Sequence, residues 1–120
     1  MSNEDINRCC MGFNACSSHK AILGCVGCID GYLVHINAPN DEEVSNVHAY
    51  FSGRYRKFGI NIQCVCDSRC RFLYVSVSLP GSQPDINAFR STCIPQYLED
   101  TLTNEYFSLV TWTIPIPIIF

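Results

Sequence analysis

Residues 60–79 read I-N-I-Q-C-V-C-D-S-R-C-R-F-L-Y-V-S-V-S-L, two alternating runs around a polar turn. Ile60, Ile62, Cys64 and Cys66 fall on one side of the first run and Asn61, Gln63 and Val65 on the other, the two-residue period of a strand. Asp67 and Ser68 end it. From Phe72 to Leu79 the second run sets Leu73, Val75, Val77 and Leu79 against Phe72, Tyr74, Ser76 and Ser78, and the short D-S-R-C link folds the pair into an antiparallel hairpin. The two cysteines of the first run are expected to behave as small buried hydrophobes on one strand face.

Upstream, Ala21 to Ile36 is a β-rich apolar run interrupted by Asp30 and Gly31, which predicts a long strand with a bend or a tight hairpin. Asn37 to Glu43 is a polar turn-rich loop. Val44 to Lys57 shows no clear period and reads as a connector with one helical turn. Downstream, Pro80-Gly81-Ser82 is a turn, Asp85 is placed as a helix N-cap, and Ile86, Phe89 and Cys93 mark a short helix that stops before Pro95. A second helix starts at Pro95 with Tyr97, Leu98 and Leu102 as its stripe, and a strand follows from Tyr106 to Val110. Three antiparallel strands, a helical crossover and a strand beside the first make the N-terminal half of a ribonuclease H-like α/β fold, incomplete in this chain.

The chain has 120 residues, 48% of them apolar, enough for one core and too few for two full domains. Eight Lys and Arg against eleven Asp and Glu give a net charge of −3, which argues against a free-standing nucleic-acid clamp. No leader pattern opens the sequence, so an intracellular protein is expected. The apolar stretch Leu109 to Phe120 is shorter than the roughly twenty residues of a membrane span and contains Thr and Pro, so no membrane association is expected. The nine cysteines are odd in number and are read as reduced thiols. A zinc reading competes through Cys25-x-x-Cys28 and the cluster Cys64, Cys66 and Cys70, although structural zinc knuckles sit on turns rather than inside strand-like runs.

Spacing alone finds no active site. Asp30-Gly31 is a turn signal, Asp85 a helix cap and Asp67 a turn residue between strands. A metal-dependent nuclease needs two or three carboxylates converging on divalent ions, and the strand order would allow Asp30 and Asp85 to converge. The basic cluster Arg54, Arg56 and Lys57 interleaves with Tyr50, Phe51, Tyr55 and Phe58, a composition suited to phosphate and base contacts as well as to a solvated loop. His35 and His48 have no spaced partner that would make them ligands.

Three stretches carry a resemblance: G-C-V-G-C-I-D-G-Y-L-V-H-I at 24–36, Y-F-S-G-R-Y-R-K-F-G-I-N-I-Q-C-V-C-D at 50–67, and R-F-L-Y-V-S-V-S-L-P-G-S-Q-P-D-I-N-A-F-R-S-T at 71–92. Together they resemble the DDE endonuclease domain of PIF/Harbinger-type transposases and the nucleases derived from them. The resemblance implies a divalent metal cation, Mg or Mn, held by Asp30 and Asp85 as catalytic and metal-binding acids, DNA as substrate, and a nuclear location. It also implies a separate Myb-like or helix-turn-helix partner for target reading. The family next places a Gly-Asp after a phrase like Y-F-S-L, and later a Glu on a helix. Here Val110-Thr111-Trp112 follows Leu109, so a truncated domain, inactive alone, is expected. The expected organisation is a poorly defined segment at 1–20, a partial endonuclease domain at 21–109, and an aberrant apolar tail at 110–120 arising from a change of reading frame. The alternatives are a non-catalytic DNA-binding or interaction relic and a small zinc-binding module.

Overall fold

The computed structural model describes residues 1–101 and 107–110, with only the backbone described for Ser78, Thr101 and 107–110. The chain opens with α1 (Asn3–Cys16), followed by β1 (Cys25–His35), β2 (Phe51–Ser52), β3 (Lys57–Cys66) and β4 (Phe72–Pro80). Two helices, α2 (Asp85–Arg90) and α3 (Ile94–Thr101), then lead to β5 (Phe107–Val110).

The hairpin read from residues 60–79 is present as β3 and β4, with Cys64 opposite Val75 and Val65 opposite Tyr74. β1 pairs antiparallel with the other edge of β3, placing Asp30 opposite Cys64 and Gly31 opposite Gln63. β5 lies parallel to β1 and pairs Ile29 with Val110. The strand order β4-β3-β1-β5, three antiparallel strands and a parallel fourth reached through α2 and α3, is the α/β arrangement of the ribonuclease H-like fold. Of the two readings of Ala21 to Ile36, the long strand forms and the tight hairpin at Asp30-Gly31 does not. Both residues lie inside one continuous strand, where pairing with Cys64 and Gln63 of β3 engages their backbone groups.

The helices α2 and α3 cover one face of this sheet. Ile29, Phe89 and Ile94 form the core there, with Val65, Tyr74, Ile86 and Leu98 packed around them. That choice of face reverses what the apolar alternation of β3 suggests: Asn61 and Gln63 are buried, whereas Cys64 and Cys66 on the opposite side are only half-buried. Across that second face run the rows Tyr32–Ile62–Val77 and Asp30–Cys64–Val75, in which Tyr32 and Val77 are 64% and 63% exposed.

The opening segment, read as undefined, is α1. Ser2 and Asp5 form a reciprocal capping box at its start, satisfying two orphan N–H groups. Ile6, Cys9 and Phe13 form its buried stripe. The connector before β3 holds a short 3-10 turn at Val47–Tyr50 and the two-residue β2, which pairs with Phe58 and Lys57. The tail at 111–120 and the Leu102 helix position lie outside the described residues.

Candidate active site

Asp30 sits at the middle of the central strand, with an exposed side chain, on the sheet face opposite α2 and α3. Its Oδ1 accepts a hydrogen bond from the Gly31 N–H at 2.8 Å. Its neighbour across the ladder is Cys64, and its negative charge helps raise the Cys64 and Cys66 thiols, which burial is foremost in pushing up.

Asp85 occupies the other face. A Cβ at Gly31 would lie 2.8 Å from Asp85 Oδ1 and 2.6 Å from Gln63 Nε2, so the carboxylate rests directly over that glycine. Successive strand residues point to opposite faces, so the sheet separates Asp85 from Asp30. The expected shared site of these two acids is therefore not formed. Nor is Asp85 the N-cap: Pro84 holds that position with no side-chain cap bond, and Asp85 is the first helical residue. Its Oδ1 instead accepts the Asn61 Nδ2–H at 2.8 Å, and Asn61 Oδ1 in turn accepts the Gln63 Nε2–H at 3.0 Å. This polar chain beneath α2 went unread in the sequence. Its only trace there is the pair Asn61 and Gln63 alternating within an apolar strand.

Asp67 is the turn residue expected of it. Its Oδ1 accepts the N–H groups of Arg69 and Arg71, each at 2.9 Å, and its Oδ2 pairs with the Arg71 guanidinium at 2.7 Å. The basic cluster forms the tip of the β2–β3 hairpin, where Arg54 lies 5.3 Å over the Tyr55 ring and Arg56 takes a positive φ of 54°. His35 and His48 are exposed.

Among the described residues all nine cysteines are free, and no group of three or more His, Cys, Asp or Glu side chains could hold a metal ion. The C-x-x-C pair lies inside β1 rather than on a turn, with Cys25 fully buried and donating to the Gly27 carbonyl at 3.6 Å. The expectation of thiols mostly buried on strands holds for Cys25. Cys9 is buried on α1 instead, and Cys16, Cys70 and Cys93 are exposed.

A family model described as DDE superfamily endonuclease matches residues 29–116, most of the chain, including β1 from Ile29, the β3–β4 hairpin and the turn before α2. The chain belongs to this family. The match continues past Leu109, where the sequence reading ends the domain. No curated protein and no solved structure matches the chain. Membership makes this a transposase-derived nuclease domain at the family level, with DNA as the substrate class that the family suggests.

The DDE superfamily generally uses divalent metals, and two-ion catalysis needs several carboxylates around ions about 4 Å apart. The described residues do not supply that set. Asp30 is the only carboxylate on its row of the sheet, its ladder neighbour is a thiol, and Asp85 is bonded on the far face. No helix of the described residues is long and apolar enough to cross a membrane.

Proposed function

We propose that this chain is a Harbinger-type DDE endonuclease domain whose phosphodiester chemistry on DNA centres on Asp30, and that it does not cleave DNA on its own. One observation carries the reading: Asp30 is an exposed acid at the midpoint of β1, flanked by antiparallel β3 and parallel β5 in a chain that matches the family. Val110-Thr111 stands where the resemblance expects Gly-Asp, so the third acid is replaced by a neutral hydroxyl. A single carboxylate holds Mg²⁺ or Mn²⁺ no better than about millimolar. A Myb-like or helix-turn-helix partner and a nuclear setting accompany this reading, as does a domain spanning 21–109.

The test combines Mn²⁺ titration by electron paramagnetic resonance with a plasmid-nicking assay. The wild-type chain is expected to bind Mn²⁺ weakly and to leave the plasmid intact, and Asp30→Asn is expected to abolish the weak binding. Nicking by wild type that survives Asp30→Asn, or Mn²⁺ binding unchanged in that variant, would sink the reading.

A further inference from the structure

Between the β2–β3 hairpin and the turn before α2 lies a cavity of about 320 Å³. Arg54, Tyr55, Asn61, Gln83 and Asp85 are among the polar residues that line it. The volume falls within the range of small-ligand sites. Its charge is divided by position. Asp85, half-buried, has Oδ1 fixed by Asn61, while its Oδ2 takes no hydrogen bond from a described residue. Arg54 belongs to the exposed hairpin tip, followed by Arg56 and Lys57, and none of these cations pairs with a carboxylate among the described residues. An acidic chain thus gathers three of its eight basic residues on one hairpin tip, and Arg54 of that tip lines the cavity with Asp85.

A ligand for this cavity needs hydrogen-bond donors at its inner end, a flat ring to lie against Tyr55, and negative charge at its outer end. A nucleotide has all three. Among the bases, guanine presents N1–H and the 2-amino N–H side by side, the donor pair that a carboxylate accepts best. Thymine offers one N–H between two carbonyls that would face the Asp85 oxygens.

We propose that this cavity is a nucleotide-reading subsite that takes one unpaired guanine of a DNA strand, its Watson–Crick edge on Asp85, its ring against Tyr55 and its phosphate on Arg54 of the basic hairpin tip. The inference rests on the DNA-substrate reading above but not on Asp30 or on any metal, because the cavity lies on the opposite face from Asp30. Aromatic stacking and cationic phosphate contact supply sequence-independent affinity, and the carboxylate supplies the preference.

The experiment is fluorescence anisotropy with labelled single-stranded dT12 and with the same oligonucleotide carrying one central dG, dA or dC, in EDTA at low and moderate salt. Wild type is expected to bind the dG strand about fivefold more tightly than dT12, at the low end of what a bidentate base contact provides. Asp85→Asn should erase that preference, so that the dG strand binds no more tightly than dT12. Arg54→Ala with Arg56→Ala should weaken all four strands alike and flatten the salt dependence. Every measurement is made in EDTA, with no divalent cation present, so that failure here is separate from failure of the Asp30 reading. Circular dichroism melting accompanies each variant, and Tyr55→Ala, which removes the stacking ring, serves if Asp85→Asn does not fold, with weaker binding of all four strands expected. Equal affinity for all four strands, no binding at all, or a guanine preference that survives Asp85→Asn would overturn the proposal.

Discussion

Asp67 shows how one side chain can hold a turn. The Arg71 N–H foremost, aided by the Arg71 guanidinium and the Arg69 N–H, holds its carboxyl below the usual value near 4, against burial, which pushes it up. A folded-state pKa below the unfolded one means that the stabilisation is fully present above about pH 4 and is lost as pH falls through the lower folded value. Urea unfolding of the wild type at pH 7 and pH 3 should show that loss. Asp67→Asn should be less stable at pH 7 and flatter between the two pH values, and an equal slope in both proteins would contradict the assignment. At Cys28 burial dominates, with Cys25, Cys66 and Cys70 adding to it, and the thiol is pushed up to about 11. Since the thiolate is the nucleophile, iodoacetamide at pH 8 should label exposed Cys16, Cys70 and Cys93 at least about tenfold faster than Cys28, as read by peptide mass mapping. Rapid labelling of Cys28 in the folded protein would contradict its placement.

At the scale of elements, the strands were legible because alternation is local, and so were the starts of α2, α3 and β5, whereas α2 ends at Arg90, short of the Cys93 turn expected for it. The face of β3 that ends up covered was not legible. Asn61 and Gln63 face the helices because Asp85 and the Gln83 carbonyl receive the Asn61 amide, a tertiary partnership between residues more than twenty positions apart. Between the strand and the hairpin that Ala21 to Ile36 left open, the long ladder with β3 decides, since a turn preference of local origin yields to it. α1 could have been read from Ser2 and Asp5 together with Ile6, Cys9 and Phe13 at helical spacing. From sequence the segment reads equally as a frayed start or a helix remnant, because its polar residues hide a three-residue stripe. That stripe anchors the helix, so Phe13→Ala should cost about 3 kcal/mol in urea unfolding, within the range for a buried aromatic truncated to alanine. A loss below about 0.5 kcal/mol would mean that α1 is not docked in solution.

Taken whole, the molecule divides its chemistry between the two faces of one sheet. The α2–α3 face holds the apolar core, the Gln63–Asn61–Asp85 chain and the cavity beside the basic hairpin tip. The other face presents Asp30 among thiols and exposed Tyr32, Val75 and Val77. The sequence resemblance located both acids but could not assign their faces, because side-chain direction depends on register. Register also states what the Asp30 face would need. β5 runs parallel to β1 and ends, among the described residues, with Val110 beside Ile29, one position before Asp30. The next residue in the sequence is Thr111, where the resemblance expects an acid. Thr111→Asp should therefore tighten Mn²⁺ binding at least about tenfold, because affinity for hard cations rises with the number of charged oxygen ligands. The gain should vanish when Asp30→Asn is added, giving a coupling between the two positions that independent surface charges would not show. If Thr111→Asp binds Mn²⁺ no better than wild type, or keeps its gain without Asp30, the two positions do not share a cation.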